Sequence, residues 1–289
     1  MTTNIEGLDR WMANTAGIHK LRIDELVLPG THDSGADKKA SILNFPQEIT
    51  QDVPPAEQIK AGFRVLDLRV RFLPGKQTND PKRFQLYHWH DLNRFVSTDI
   101  LDMLNTFYDA PSTKAARAKE LIILNFHQLD NFTDAAHEEL RLLINEKIGK
   151  RIIPESYKYS TIDDLWNNTP GRTVVISYNK YTNNSDYWNG VQQQWIGENY
   201  ISTDKLKKFM DQASLESKRA YSLRSIQCAK YTGLFVPDDF SDKVDEWFHS
   251  KDRNSYIQRF HIINTDWSTR SRIVHNCKHA NQIRAQAKG

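Results

Sequence analysis

Seven short apolar runs, each ending in a cluster of ionisable or amide residues, set the tightest constraint on how this chain folds. Leu26-Val27-Leu28 leads into Thr31-His32-Asp33, Val65-Leu66 into Asp67 and Arg69, and Leu86-Tyr87 into His88 and His90. Leu121 to Leu124 leads into Asn125 and His127, and Val174 to Ile176 into Tyr178 and Asn179. Ser225-Ile226 leads into Gln227 and Lys230, and Ile262-Ile263 into Asn264 and Asp266. Continuous Leu and β-branched runs are how parallel strands read when helices cover both faces of a sheet. In a (β/α) barrel the chemistry collects at the C-terminal ends of those strands. Polar run-ends repeated in series therefore point to an enzyme.

The chain has 289 residues, which suits one α/β barrel domain, a fold that commonly takes ~250 residues. Hydrophobic content of 39% argues against disorder. A net charge of +3 permits weak attraction to anionic surfaces but is too small for a typical nucleic-acid binder. Two cysteines, Cys228 and Cys277, form neither a disulfide framework nor a metal-ligand set. No run approaches the ~18 apolar residues of a membrane span. Met1 to Glu6 lacks the basic and apolar regions of a secretory signal.

Between the runs, helical spacing recurs. Ile100, Leu101, Leu104 and Phe107 share one face, and Leu140, Leu143, Ile144 and Ile148 another. Ser160 to Trp166 reads as a short capped helix, followed by a break at Pro170-Gly171. Lys205, Lys207 and Lys208 before Phe209 and Met210 suit an amphipathic helix, and the basic stretch Arg270 to Lys288 a solvated last one. Thr182 to Gly197, rich in Asn, Gln and Trp without periodicity, reads as a long loop over the barrel mouth.

Within a strand, positions i and i+2 share a face. Asp67 with Arg69, His88 with His90, Asn125 with His127 and Asn264 with Asp266 are thus same-face pairs that build one polar pocket around His32. Two histidines near a fixed arginine are suited to a phosphodiester. One imidazole takes a proton from the nucleophile and the other gives one to the leaving group. A guanidinium between them matches the phosphate oxygens with a planar fork.

Three segments carry a resemblance to a known family. Leu28-Pro29-Gly30-Thr31-His32-Asp33-Ser34, then Leu66-Asp67-Leu68-Arg69-Val70, then Leu86-Tyr87-His88 resemble the catalytic X region of bacterial-type phosphatidylinositol-specific phospholipase C. The first motif is highly specific, and the likeness extends over most of the chain, leaving out about Thr182 to Arg219 and the tail. It implies a single-domain distorted (β/α)8 TIM barrel over residues 1–289. It also implies cleavage of phosphatidylinositol to diacylglycerol and inositol 1,2-cyclic phosphate. By residue, His32 resembles the general base and Asp266 its orienting carboxylate. His88 resembles the general acid coupled to Asp33, and Arg69 the phosphate-binding arginine, with Asp67 beside it. Calcium-dependent members carry a carboxylate where this chain has Arg69; an arginine cannot ligate a metal, so no metal and no cofactor is expected. The implied partner is phosphatidylinositol at a membrane or micelle surface, met by peripheral contact of a secreted monomer; a cytoplasmic location is the alternative.

The chain departs from the family at three places. Trp89 replaces the glycine that usually follows the catalytic histidine, and His90 comes next, so either His88 or His90 is the acid, with His88 the better aligned. His127 stands where relatives carry Lys or Glu; it is expected on the substrate together with Asn125, Tyr178 and Lys230. The inositol-stacking aromatic is open among Tyr178, Trp195, Tyr200 and Tyr231. Competing readings are a metal-dependent glycerophosphodiesterase or sphingomyelinase D-like barrel and a non-catalytic phosphoinositide-binding barrel. The first needs paired acidic ligands where Asp67-Leu68-Arg69 stands. The second leaves an intact set of His32, Asp33, Arg69, His88 and Asp266 without a purpose.

Overall fold

A computed structural model of the protein describes residues 7–40, 42, 45–180, 186–249 and 255–288. Among the described residues ten strands form one sheet: β1 (Leu28–Thr31), β2 (Val65–Phe72), β3 (Phe84–His88), β4 (His90–Phe95), β5 (Ile122–Asp130), β6 (Val174–Tyr178), β7 (Trp188–Asn189), β8 (Gln192–Gln194), β9 (Arg224–Cys228) and β10 (Ile262–Thr265). Eight of them run β7-β6-β5-β2-β1-β10-β9-β8, and every neighbouring pair on that path is parallel. β7 and β8 stand at opposite ends of the path, yet only Gly190 and Val191 separate them in the chain. The sheet therefore curls until its ends adjoin. Among the described residues no β7–β8 pairing closes the ring, which makes the barrel a distorted one.

Alternation along the strands sorts the core. Leu28, Val65, Ile123 and Val175 pack into one cluster with Phe63 and Leu21. Their neighbours Leu66, Leu124 and Ile176 pack on the other side, against Ile100, Leu101, Leu104, Phe107, Leu140 and Ile144. These are the faces expected of the helices at Val96–Asp102, Met103–Asp109 and Asp134–Ile148, although Leu143 is only half-buried. Thr161 caps Ile162–Asn168 in a capping box with Asp164, and Thr203–Ala213 buries Leu206 and Met210. Both cysteines are buried and free.

Three expectations are corrected. The run Leu86-Tyr87 is no barrel strand: β3 pairs antiparallel with β2 and with β4, so it forms a hairpin on the barrel's flank. The stretch read as one long loop contributes β7 and β8, although residues 181–185 lie outside the described residues. The last helix, Ile273–Gln286, is packed rather than solvated. Arg284 donates to the carbonyls of Glu25, Leu26, Gln258 and Phe260, and burial lowers its pKa to about 10.

Candidate active site

β1 delivers His32 and Asp33 to the C-terminal end of the sheet. Gly30 is required there: a Cβ at this position would lie 2.1 Å from Asn264 Oδ1 on the adjoining β10. Beyond the strand, Asp33 adopts φ 43°, the left-handed region that Asp tolerates better than most residues. Hydrogen bonds fix that corner. Thr50 Oγ1 donates to the carbonyls of His32 at 3.1 Å and Asp33 at 3.0 Å, and Gln51 Nε2 to that of His32 at 2.8 Å.

The His32 ring is buried, and its contacts set its tautomer. Nδ1 lies 2.7 Å from Asp266 Oδ1, so it carries the proton and donates it. Nε2 lies 2.7 Å from Arg69 Nη2. A guanidinium only donates, so Nε2 presents its lone pair. The second contact of Nε2 is Gln227 Nε2, at 3.1 Å. In its neutral form His32 is therefore a base held with its lone pair outward.

Arg69 links this base to a second histidine. Its Nε is 3.2 Å from Asp33 Oδ2, an ion pair by distance whose angle makes no hydrogen bond. The same oxygen lies 3.8 Å from His88 Nε2. His88 Nδ1 is 3.1 Å from the Glu48 carbonyl, so Nδ1 carries the proton there and Nε2 faces the carboxylate. Asp67 closes the group: Oδ2 accepts from the Asp33 backbone N–H at 3.3 Å, and Oδ1 from Asn125 Nδ2 at 3.5 Å. Asn125 in turn accepts from Ser177 Oγ.

Burial dominates the charges. It raises Asp33 to about 6, against the opposing pull of Arg69 and His32. It lowers His88 to about 3, assisted by the Arg69 charge. Burial alone would lower Arg69, but Asp33 and Asp67 outweigh it and hold the guanidinium above its ordinary value. Of the Asp33–His88 pair it is the carboxyl that holds a proton more readily.

His127 is the extra residue of a bulge, since Leu68 pairs Phe126 while Arg69 pairs Gln128. It is half-buried, and its charge acts on Asp33. Three expected placements are corrected. Tyr178 faces away, packed on Phe126 and Tyr187 with its hydroxyl 2.9 Å from His137 Nδ1, because its neighbour Ser177 takes the inward position. The Lys230 amine is held by Asp238 and lies over the Phe240 ring. His90 does not share a face with His88. Trp89 at φ 64° turns the chain between them, leaving the His90 side chain 55% exposed with Nδ1 on Glu48 Oε1. Of the other aromatics, Tyr231 is buried and electrostatically coupled to Arg69, whereas Trp195 and Tyr200 are exposed. Sequence reasoning missed Glu48, Thr50 and Gln51, which lie in a segment without period or motif. Among the described residues, no group of three or more His, Cys, Asp or Glu is gathered as for a metal ion.

The fold has solved counterparts. The phosphatidylinositol-specific phospholipase C from Listeria monocytogenes superposes with a TM-score of 0.69 at 19% identity, over 95% of this chain and 97% of that one. A mutant of the Staphylococcus aureus enzyme gives 0.66 at 13% identity, over 95% and 98%. The fold is that of the bacterial phosphatidylinositol-specific phospholipases C. No family model matches the chain. In sequence it is similar to the mouse PI-PLC X domain-containing protein 2, 26% identical over 180 residues, 54% of this chain and 50% of that protein. It is also similar to the bovine PI-PLC X domain-containing protein 3, 23% identical over 235 residues, 72% and 70%. The chain spans about half the length of the first of these relatives.

Proposed function

We propose that this protein is a phosphatidylinositol-specific phospholipase C, a single catalytic barrel that cleaves its substrate to diacylglycerol and inositol 1,2-cyclic phosphate. One observation carries the reading: Asp266, His32, Arg69, Asp33 and His88 form an unbroken series of contacts in which a base with an outward lone pair and a second imidazole flank one guanidinium. His32 Nε2 takes the proton of the inositol 2-hydroxyl, whose oxygen attacks phosphorus. Asp266 stabilises the imidazolium that forms. Arg69 leaves His32 for the phosphoryl oxygens and stabilises the charge that grows on them. The bond from phosphorus to the diacylglycerol oxygen breaks as the His88–Asp33 pair supplies that oxygen with a proton. Asp67 keeps Asp33 and Arg69 in place, and His127 contacts the head group.

Arg69 stands where a metal would otherwise neutralise phosphate charge, so the reading requires no cofactor. The protein acts as a monomer on a lipid surface by peripheral contact. Phe45, Trp89, Leu234 and Phe235, all exposed, support that contact. They surround His90 and Glu48 next to His88, with the Trp89 and Phe235 rings 6.4 Å apart. No helix among the described residues is long and apolar enough to cross a membrane. The test is phosphorus NMR of phosphatidylinositol micelles treated with the protein in excess EDTA. The cyclic phosphodiester resonance is expected. Turnover abolished by EDTA and restored by calcium would overturn the role of Arg69, and no turnover under any condition would overturn the reading.

A further inference from the structure

Two glutamines that no part of the mechanism above uses bear on the catalytic base. Gln227 on β9 places Nε2 3.1 Å from His32 Nε2, and Gln193 on β8 places Nε2 2.5 Å from Gln227 Oε1. The direction of these bonds follows from chemistry alone. The Asp266 carboxylate accepts, so His32 Nδ1 donates and Nε2 in the neutral ring accepts. The end of the Gln227 amide that faces Nε2 is then the NH2 end, which turns its carbonyl to β8. The group that meets this carbonyl must donate, and it is the Gln193 NH2. Gln193 pairs in register with Ser225 and Gln227 with Asn264, so four neighbouring strands carry one direction of hydrogen bonding to the mouth. Gln227 is nearly buried, whereas Gln193 is half-buried on the end strand beside the unclosed seam of the barrel.

We infer that Gln193 and Gln227 are positioning residues for His32, an amide relay that keeps the Nε2 lone pair facing the place where the attacking hydroxyl must sit. The relay matters most at the moment of reaction. Arg69 holds Nε2 at rest, but it is needed at the phosphate. When it leaves, Gln227 is the remaining donor to Nε2, while Asp266 keeps the proton on Nδ1, and a donor facing Nε2 keeps that nitrogen bare. Gln193 in turn prevents the Gln227 amide from turning end for end. A turned amide would offer a carbonyl to Nε2 and require a proton there, which makes His32 useless as a base. The inference rests on the reading of His32 as the base, but its test does not depend on turnover.

Long-range proton–nitrogen NMR reads the protonation of each histidine with Arg69 replaced by Met in every protein compared, which leaves Gln227 as the donor to Nε2; the His32 signals are identified by their loss in His32→Gln. With both glutamines native, Nδ1 protonated and Nε2 bare are expected. Gln227→Glu is isosteric and replaces the donor by an acceptor, so protonated Nε2 is expected. Gln193→Leu, which keeps Gln227, is expected to give a mixture of the two forms. With Arg69 native, Gln193→Leu should lower kcat on phosphatidylinositol about tenfold, the scale of one neutral hydrogen bond, with KM nearly unchanged. A His32 protonated at Nε2 with both glutamines native, or His32 signals identical in all three proteins, overturns the relay. If Gln227→Glu does not fold, Gln193→Leu alone decides. Tautomers as expected in a protein that turns over no phosphatidylinositol would support the relay and sink the proposed function instead.

Discussion

Asp33→Asn tests where the leaving group's proton comes from. At rest His88 is nearly always neutral at physiological pH, since burial and Arg69 push it down to about 3, while burial pushes its neighbour Asp33 up to about 6. With 3.8 Å between His88 Nε2 and Asp33 Oδ2, the two are electrostatically coupled, and a pKa near 6 belongs to the pair. A phosphodiester bound at Arg69 brings a negative charge. At ~4 Å and an effective dielectric of ~20 such a charge is worth ~4 kcal/mol, or about three pKa units. That lifts His88 from about 3 to roughly 6 and makes it a competent acid only in the complex. The sign follows. In the wild type kcat/KM should fall as pH rises through about 6, because the free enzyme's pair loses its proton there. The limb in kcat, which reports the complex, is expected at higher pH. Asp33→Asn removes the carboxyl that holds the proton, so the limb near 6 should vanish and the rate drop by ~10²–10⁴-fold. Inositol p-nitrophenyl phosphate, whose leaving group needs little help from an acid, should recover most of that loss in both Asp33→Asn and His88→Ala. His32→Ala should recover none, since the 2-hydroxyl must still lose its proton. An Asp33→Asn profile that retains the limb, or equal damage on both substrates, would refute this account.

Three further outcomes are expected. Arg69→Lys should cost at least ~10-fold in kcat/KM, because one ammonium cannot reach His32 and Asp33 together as the fork does; activity within about twofold of wild type counts against the fork. Phe235→Asn, which keeps a residue at ease at φ 58°, and Leu234→Ser should each raise the half-saturating concentration of vesicles about fivefold and leave a monomeric short-chain substrate unaffected. Equal loss on both substrates would remove that rim from the docking role. His261, buried and lowered to about 3 from 6.5 by desolvation, contributes stability that is complete above 6.5 and is lost as pH falls through 3, at most roughly 5 kcal/mol. Urea midpoints of His261→Gln should therefore fall less steeply between those pH values than wild type, and parallel curves would refute the assignment.

Local alternation and the first motif made the barrel and most of the reactive group legible in the sequence. Val65, Asp67 and Arg69 alternate inward as a period of two requires, and the continuous runs of β5, β6 and β10 report burial on both faces. The misreadings have physical causes. Tyr178 ends its run, a position that points to the mouth, but in β6 the inward position falls on Ser177, and the tyrosine is one residue out of phase. His88 and His90 read as one strand's same-face pair, yet Trp89 at φ 64° turns the chain between the end of β3 and the start of β4. A bulky residue in the left-handed region gives no sequence signal, whereas a glycine there would have given one. β7 and β8 are two and three residues long, too short for any periodicity to register. Gln193 meets Gln227 at the unclosed side of the barrel. The residues that position the base are thus found where the fold is least regular, and tertiary register alone brings them to His32.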